Sequence, residues 1–343
     1  MKTRLIAAAA ASLALIALAA QAAEKYDARI VAQSQYQWTG IAATRDGRIF
    51  ACYPAWKVPS PFKVSEIVDG KEQPYPSAEA QKLFTCVQSV VAGKWNRLWV
   101  LDPANPGFKG VVPSGAKLFM VDLGTGRIAR TYVFPKSVAD SGSYLNDVRV
   151  DEERGFAYMT NSTEGGIVVL DLDSGRSWVA LDSSDKRLLA TIPRIVFEST
   201  GPSKGVTHSD GIELSEDGGT LYFAPMTGDK LYSIRTDVLR DEGLSVAERA
   251  RHITLLDGSS VPCDGLLLEG GRIFMGDLPR EGVRIFDLKS RKGEDADIGM
   301  KVRWADSFAS DGRGGIYFTT SQINYPASER GPYRIIRITP RKR

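Results

Sequence analysis

The sequence predicts an all-β chain folded as a six-bladed β-propeller of four-stranded blades, and two observations support that prediction. First, six segments repeat one pattern of a polar or small pair, a short apolar strand, a Gly- or charge-rich turn and an aromatic, β-branched second strand, which is typical of a β-hairpin. Second, most of these hairpins are followed by another, so that each unit supplies four strands. The six segments begin at Thr39-Gly40, Gln88-Ser89, Asn146-Asp147, Asp210-Gly211, Asp264-Gly265 and Asp306-Ser307.

The spacing between the repeats distinguishes a propeller from other repeat folds. Successive units begin about 40 to 65 residues apart, which fits propeller blades with loops of variable length and exceeds the period of most solenoid repeats. A β-sandwich is the alternative all-β fold, but it gives no reason for six equivalent hairpins. We therefore expect residues 24–343 to form a single propeller domain.

The two ends of the mature chain complement each other. After the hairpin that ends at Thr320, the last unit has one further strand, Tyr333 to Thr339, and so lacks a fourth. A spare strand, Ala28 to Ala32, precedes the first unit. We expect this N-terminal strand to complete the last blade and close the ring, because closure removes the exposed strand edges of an open array.

Residues 1–23 are typical of a secretory signal peptide. Lys2 and Arg4 precede an Ala- and Leu-rich apolar run, and small residues around Ala22 supply a cleavage site. A membrane anchor is the alternative, but the run is shorter than the roughly 20 residues that a bilayer span needs. No later segment is long and apolar enough to cross a membrane, so we expect a periplasmic or extracellular mature protein with no membrane association.

The charge pattern argues against nucleic acid as a partner. The formal net charge is +3 and falls to +1 when Lys2 and Arg4 are removed with the signal peptide. Acidic and basic residues are interspersed, and the only basic cluster is the tail 341–343, so the footprint of a nucleic-acid-binding protein is missing. The expected partner is a small molecule, and the sequence leaves the oligomeric state open.

The three cysteines permit one disulfide at most. Cys52, Cys86 and Cys263 are too few for a disulfide scaffold and lack the Cys-x-x-Cys spacing of zinc or redox sites. Export to an oxidising compartment would allow a bridge. Cys52 ends the second strand of the first unit and Cys86 precedes the first strand of the second, on the same side of adjacent blades, so Cys52–Cys86 is the pair we expect if a bridge forms.

The first residue of each repeat is polar, and this is where we expect a functional site. The innermost strands of a propeller surround a central channel, so equivalent positions form a ring around one axis. Neighbouring carboxylates repel, which a bound cation, a cationic ligand or a raised pKa relieves. The structural alternative is that these residues only cap turns and hydrogen-bond neighbouring blades. The ring comprises Thr39, Gln88, Asn146, Asp210, Asp264 and Asp306.

A divalent cation such as Ca²⁺ is one candidate occupant, with Asn146, Asp210 and Asp264 as its ligands. A catalytic alternative uses His208, two residues before Asp210, as a general base or proton shuttle beside that carboxyl group. A lone histidine is more often a hydrogen-bonded loop residue, and His252 is interpreted as structural.

Aromatic residues near the same rim are candidates for the walls of a binding pocket. They would hold a flat or cationic ligand by stacking and cation–π contacts, although packing between blades is the default role of such residues. Trp304, close to Asp306, is the aromatic residue that we expect beside the ligand. The candidates are Trp38, Tyr144, Trp304 and Phe308.

The most recognisable stretch of the chain is 215–234, Ser-Glu-Asp-Gly-Gly-Thr-Leu-Tyr-Phe-Ala-Pro-Met-Thr-Gly-Asp-Lys-Leu-Tyr-Ser-Ile, followed by 46–56, 87–102 and 144–147. These stretches resemble the royal jelly/yellow family, and in particular a bacterial member related to its dopachrome-tautomerase branch. The resemblance spans nearly the whole mature chain. It implies a six-bladed propeller and leaves the chemistry open, because members include pigment-pathway proteins, nutritional proteins and salivary amine binders.

The chain is also distantly similar to gluconolactonase-type propellers, which hold a divalent metal in the channel through an early Glu, an Asn and an Asp. Thr39 stands about where that Glu would be, Asp210 replaces the Asn, and Ala224-Pro225 takes the place of the usual Asp-Ser. These departures count against a lactonase mechanism.

Two functional hypotheses follow from the sequence. The first is an exported propeller that binds a small organic ligand, an amine, an aromatic compound or a polyol, at the channel mouth through Asn146, Asp210, Asp264, Asp306 and Trp304. The second is an enzyme of the dopachrome-tautomerase or metal-dependent lactonase type that uses the same channel. The sequence does not decide whether a reaction is catalysed.

Overall fold

The computed structural model describes residues 24–54, 56, 59–258 and 260–341. The predicted signal peptide, 1–23, lies outside the described residues, so its assignment stays a prediction. Within the described ranges, no helix has both the length and the apolar character needed to cross a membrane.

The first half of the chain consists almost entirely of short strands. Most are three to seven residues long, and they alternate with turns in which glycine or a polar residue takes a left-handed conformation, for example Gly47 at φ 96°. The strands are β1 (Glu24–Ser34), β2 (Ile41–Ala43), β3 (Ile49–Cys52), β4 (Val64–Val68), β5 (Lys71–Pro74), β6 (Ser89–Ala92), β7 (Arg97–Asp102), β8 (Lys117–Asp122), β9 (Arg127–Val133), β10 (Leu145–Asp151), β11 (Phe156–Asn161), β12 (Gly166–Asp171) and β13 (Ser177–Leu181).

The second half continues this pattern and adds two short helices. They are α1 (Thr236–Arg240) and α2 (Val246–Ala250), and Ser245 and Glu248 form a capping box at the start of α2. The strands are β14 (Val196–Phe197), β15 (Gly201–Pro202), β16 (Ser209–Leu214), β17 (Thr220–Pro225), β18 (Leu231–Arg235), β19 (Thr254–Asp257), β20 (Leu266–Glu269), β21 (Arg272–Asp277), β22 (Gly282–Asp287), β23 (Lys292–Asp297), β24 (Ala305–Ser310), β25 (Ile316–Thr320) and β26 (Tyr333–Pro340); 3₁₀ turns lie at Ala80–Leu83, Pro106–Phe108, Lys186–Leu188 and Ala327–Glu329.

The strands form an all-β propeller of four-stranded blades. Four sheets each contain four consecutive strands, namely β2–β5, β6–β9, β10–β13 and β16–β19, while β14 and β15 form a small hairpin. The other eight strands form one sheet in the order β20-β21-β22-β23-β1-β26-β25-β24. The sequence predicts six separate sheets, and the structure differs because the first residues of β1 also pair with β23, through Glu24 with Ala296 and Lys25 with Asp297.

The N-terminal strand pairs with the C-terminal one, as the sequence predicts. β1 runs antiparallel to β26 from the pair Tyr26–Pro340 to the pair Ser34–Tyr333, with a bulge between Ile30 and Ala32. The strand is longer at both ends than predicted. The first and last described strands are therefore held side by side in one sheet, and neither forms an edge of that sheet.

The core lies between neighbouring sheets. One cluster of buried residues combines Trp99 and Leu118 of β7 and β8 with Met159 and Leu170 of β11 and β12. A second combines Tyr158 and Ile167 with side chains of β16 to β18. Each blade therefore buries both faces against its neighbours, which explains why strands such as β12 are apolar along their whole length.

The innermost strands, β2, β6, β10, β16, β20 and β24, converge on the channel and require glycine where they meet. At Gly211 a Cβ atom would collide with the carbonyl oxygen of Asp264, and at Gly265 it would lie 2.6 Å from the carbonyl oxygen of Asp306. The amide of Gly265 donates a 2.6 Å hydrogen bond to that oxygen. The Asp-Gly pairs of the repeats thus combine a polar channel residue with the close approach of two backbones.

We expect Gly211→Ala to destabilise the protein by about 2–4 kcal/mol, because the methyl group meets a backbone oxygen that cannot rotate away. Gly205→Ala is the matched control, since nothing lies within 4 Å of the added Cβ. Urea unfolding followed by tryptophan fluorescence measures both. Equal midpoints for the two variants would contradict this account of the strand convergence.

Cys52, Cys86 and Cys263 are all free and buried, so the structure does not contain the Cys52–Cys86 bridge that the sequence permits. The Cys52 Sγ atom lies 3.6 Å from Thr39 Oγ1, within its own blade. Burial raises the pKa of the Cys52 and Cys86 thiols. Sequence position placed the two cysteines on adjacent blades, but the side-chain direction of Cys52 follows from strand register, which sequence spacing does not fix.

Candidate functional site: the mouth of the central channel

A cavity of about 470 Å³ opens where the innermost strands begin, and we call it the mouth cavity. Its volume falls within the range of small-molecule sites. Four of the six ring residues predicted from the repeats line it, namely Gln88, Asn146, Asp210 and Asp264. Trp304, the aromatic residue expected beside the ligand, lines it as well.

The other two ring residues lie behind this lining. The Thr39 hydroxyl is fully buried and donates a 2.8 Å hydrogen bond to the carbonyl oxygen of Gln88, which is the capping role of the structural alternative. Asp306 is also buried, and its carboxyl group accepts hydrogen bonds from the hydroxyl groups of Ser321 and Ser307. Neither belongs to the surface of the mouth cavity, so direct ligand contact by Asp306 stays a prediction.

Bulges at the start of the innermost strands determine the direction of the side chains around the channel. The pairing register shifts between Leu145 and Val148, between Ser209 and Gly211, and between Ala305 and Phe308. A bulge lets consecutive residues face the same side of a sheet. Asn146 consequently lines the mouth cavity while Asp147, the next residue, lines a second cavity further along the same strands.

Four buried carboxyl groups surround the channel, and we call Asp147, Asp210, Asp264 and Asp306 the carboxyl cluster. Burial is the main cause that raises the pKa of each; mutual repulsion adds to it for Asp210, Asp264 and Asp306. Asp210 lies close enough to Asp264 for its negative charge to raise the pKa of the Asp264 carboxyl group. Burial and proximity therefore both favour the neutral form within the carboxyl cluster.

Two buried oxygen atoms at the mouth cavity lack a donor. Within the described ranges, no N–H or O–H group donates to Asn146 Oδ1 or to Asp210 Oδ1 by ordinary hydrogen-bond geometry. Both residues are more than nine-tenths buried. Buried polar atoms in proteins almost always have a partner, so these two acceptors indicate a place where a ligand donates hydrogen bonds.

Aromatic side chains form the walls of the mouth cavity. The indole N–H of Trp304 donates a 2.6 Å hydrogen bond to Asp264 Oδ2, and its ring stacks on Phe197 with centroids 5.5 Å apart. Trp304 holds this position with a φ of 65°, a left-handed conformation that a residue of this size rarely adopts. The backbone is thus constrained to present the indole ring to the floor of the cavity.

A second aromatic wall lies across the cavity. Tyr144 donates from its hydroxyl to Gln88 Oε1 at 2.8 Å and accepts the indole N–H of Trp56 at 2.7 Å. Phe108 stacks on Tyr144 with centroids 4.6 Å apart. Two of the four predicted wall residues are elsewhere: Trp38 is buried in the core, and Phe308 faces the second cavity.

His208 does not line the mouth cavity. Its Nδ1 atom accepts a 3.0 Å hydrogen bond from the amide of Ala190, and its own amide donates to the carbonyl oxygen of Ser162. Burial lowers the pKa of the imidazole, which favours its neutral form. These contacts hold His208 against the neighbouring loop, and its predicted role as a base beside Asp210 stays a prediction.

An ion pair lies beyond the carboxyl cluster. Arg149 Nε contacts Glu213 Oε1 at 3.0 Å, and another nitrogen of the same guanidinium donates to the carbonyl oxygen of Leu266 at 2.6 Å. Both charged side chains are about nine-tenths buried. The pair connects β10, β16 and β20 across the channel and borders the second cavity, of about 210 Å³.

Asp147, Arg149 and Glu213 were not predicted as site residues, although each is unusual at its position in the repeat. Asp147 stands where the other repeats have Gly or Ser. Arg149 and Glu213 occupy one repeat position that is otherwise Ala, Val or Leu, and opposite charges at equivalent positions of consecutive blades predict an ion pair.

A divalent cation fits this donor set poorly. No group of three or more His, Cys, Asp or Glu side chains in the described part of the chain is arranged to hold a metal. Asp264 Oδ2 already accepts the Trp304 N–H, and Asp306 accepts two hydroxyl groups. Asn146 and Asp210 then offer two free oxygens, fewer than the six to eight ligands that Ca²⁺ takes.

The carboxyl cluster should give the protein a specific pH dependence. Because folding raises these pKa values, the folded state binds more protons than the unfolded chain once the pH exceeds the unfolded value, roughly 4. The stabilisation of the folded state by these bound protons is complete below that pH. It is lost as the pH rises through the pKa that each carboxyl group has in the folded protein. Asp306→Asn removes one such group and leaves the exposed carboxylates unchanged. We expect its stability relative to wild type to increase from about pH 4 to neutrality, measured by urea unfolding; a decrease would contradict the cluster.

Comparisons with known proteins place the chain in a family. The family model described as major royal jelly protein matches residues 85–291, more than half of the chain. Protein yellow of Drosophila subobscura is 24% identical over 220 residues, covering 57% of this chain and 38% of that protein. Protein yellow of Drosophila melanogaster is 23% identical over the same length, with 57% and 40% covered. The chain thus spans about two fifths of the length of these relatives.

Solved structures share the fold at low sequence identity. A luciferin-regenerating enzyme superposes with a TM-score of 0.57 at 10% identity, covering 92% of this chain and 95% of that one. A gluconolactonase from Xanthomonas campestris gives 0.55 at 11% identity, with 91% and 89% covered, and a virginiamycin B lyase from Staphylococcus aureus gives 0.52 at 14%, with 92% and 99%. These likenesses show the propeller fold alone. The match of the family model over residues 85–291 shows that the chain belongs to the major royal jelly protein family.

Proposed function

We propose that this protein binds a small organic ligand that carries hydrogen-bond donors, above all an arylalkylamine, in which a short alkyl chain links a primary amine to an aromatic ring, in the mouth cavity. The observation that carries the proposal is the pair of buried acceptors without a donor, Asn146 Oδ1 and Asp210 Oδ1. An ammonium group has three donors and no acceptor, so it satisfies both atoms at once.

The surroundings of these acceptors favour a cation with an apolar ring. Asp210 and Asp264 provide negative charge when they are ionised, and a bound cation would favour that form. Trp304 and Tyr144 offer aromatic surfaces on two sides of the cavity. Arg330 at the rim donates to the carbonyl oxygens of Tyr325 and Ile323, which fixes its charge away from the floor.

The proposal includes the architecture and the location of the protein. The eight-stranded sheet divides into β20–β23 and β24–β26 with β1, and counting these as two blades gives six blades around the channel. The signal-like residues 1–23 and membership of the family support export to the periplasm or the medium.

Isothermal titration calorimetry with tryptamine and phenethylamine tests the proposal. We expect saturable binding at one site, weakened about tenfold or more by Asn146→Leu, which removes an acceptor and keeps a similar volume. Trp304→Leu should also weaken binding, whereas Trp95→Leu, an exposed tryptophan outside the cavity, should not. 3-Phenylpropionate keeps the ring but reverses the charge and should not bind. Equal binding of the amine and the acid would overturn the proposal.

Proton transfer is a second candidate function, and the two neighbouring buried carboxyl groups of Asp210 and Asp264 at the mouth cavity are the observation that favours it. Two carboxyl groups that share a proton supply an acid and a base at one place. A tautomerase of the dopachrome type would then lose its activity in Asp210→Asn and keep it in His208→Ala. Tautomerase and lactonase assays on these variants, with and without added Ca²⁺, separate catalysis from binding.

A further inference from the structure

A separate groove beside the last sheet carries an excess of positive charge. It encloses about 480 Å³ and is lined by the hairpin residue Ser199, by Glu281 and by residues between 301 and 336. Three of the lining residues are cationic, Lys301, Arg303 and Arg334, and Glu281 is the only acidic one. We call this feature the basic groove.

The cations of the basic groove are only weakly neutralised by the protein. Arg334 Nε is buried and makes no hydrogen bond to any described residue. Arg303 donates to the backbone carbonyl oxygen of Glu329 and lies over the ring of Tyr325, 4.4 Å from its centroid. Lys301 Nζ is 4.0 Å from Glu281 Oε2 and its side chain is largely exposed. An unpaired guanidinium nitrogen held out of water indicates a missing acceptor.

The walls of the groove are fixed by buried polar side chains. Glu281 accepts hydrogen bonds from the hydroxyl groups of Ser199, at 2.9 Å, and Tyr325. Gln322 donates to the carbonyl oxygen of Pro332 at 3.0 Å and accepts from the amide of Gly331 at 2.9 Å. Glu281 and Gln322 both have left-handed backbones, with φ of 56° and 52°. Such conformations persist where surrounding contacts determine them, and they occur preferentially at functional sites.

We propose that the basic groove binds a small anion with two or more negative charges, of the phosphate or polycarboxylate type. Guanidinium groups pair with such oxyanions through two parallel hydrogen bonds, and the groove is lined by two arginines, Arg303 and Arg334. Lys301 adds a flexible point charge at the rim. None of the ring residues of the channel lines the groove, so this site is distinct from the mouth cavity.

Titration calorimetry with inorganic pyrophosphate and with citrate, in metal-free buffer of low ionic strength, tests this site. We expect saturable binding of at least one probe, weakened about tenfold or more by Arg334→Gln and by Arg303→Gln, because each removes a charge-assisted pair. Arg251→Gln, an exposed arginine outside the groove, is the control and should bind as wild type does. Binding of pyrophosphate alone assigns a phosphate ligand, and binding of citrate alone a polycarboxylate.

Failure of both probes to bind, or binding that both arginine variants retain, would overturn the proposal. Arg303 is exposed, so Arg303→Gln remains informative if Arg334→Gln does not fold. Asn146→Leu should bind the anion as wild type does, because it alters the mouth cavity only. Loss of amine binding and loss of anion binding are therefore distinguishable.

Discussion

Arg149→Met is expected to lower the free energy of unfolding by about 3–5 kcal/mol, the cost of leaving a buried charge without its partner. Glu213 is buried, and burial raises the pKa of its carboxyl group. The positive charge of Arg149 opposes part of that rise. Without the guanidinium, this carboxyl group must either take up a proton or remain charged in the channel. The hydrogen bond from Arg149 to the carbonyl oxygen of Leu266, which ties β10 to β20, is lost as well.

The double variant Arg149→Met/Glu213→Gln distinguishes this explanation from a simple loss of packing. It removes both charges, so its stability should lie well above that of Arg149→Met and close to wild type, since a buried ion pair contributes little net stability. Urea unfolding at neutral pH measures all three proteins. If Arg149→Met matched wild type, or if the double variant were less stable than the single one, the pair would not have the role assigned to it.

Asp210→Asn is expected to separate stability from binding. The amide is neutral and can donate to Asp264, so it removes the repulsion in the carboxyl cluster, and we expect a gain of about 0.5–2 kcal/mol in the ligand-free protein. The same change removes the carboxylate that Asp210 would present to a bound ammonium group. Affinity for an arylalkylamine should fall about tenfold or more, because a charge-assisted hydrogen bond is lost.

Thermal unfolding and calorimetry on the same preparations test both halves of this prediction. Asp173→Asn, at an exposed aspartate far along the chain from the ring residues, serves as the control and should leave amine affinity unchanged. A destabilised Asp210→Asn protein with unaltered amine affinity would show that Asp210 is a structural residue of the inner strand. That result would favour the capping role over a binding role.

The fold was largely predictable because its signals are local and repeated. Each hairpin is recognisable from a polar pair, an apolar strand and a turn. The spare N-terminal strand and the missing strand of the last unit together indicate that the two pair. The joining of eight strands into one sheet was not predictable, since it depends on Glu24 and Lys25 at the start of β1, which pair with β23 on the side of β1 opposite to β26. Residues at strand ends are the least determined by sequence pattern.

The floor of the site followed from equivalent repeat positions, whereas only part of its walls, Tyr144 and Trp304, was predicted. Asn146, Asp210 and Asp264 begin innermost strands, so repeat alignment alone brings them to the channel mouth. Trp56 and Phe108 reach the cavity from connections whose course no periodicity determines. The bulges at the inner strands explain the remaining differences, because they bring Asp147 into the channel beside Asn146, which simple alternation would not predict.

A crystal structure of the protein with bound tryptamine would test the central claim most directly. We expect the ammonium group of tryptamine to lie within about 3.2 Å of Asn146 Oδ1 and of the Asp210 carboxyl group. Its indole ring should lie between Trp304 and Tyr144. Tryptamine bound elsewhere, or a mouth cavity in which both acceptors are satisfied by protein side chains, would contradict it.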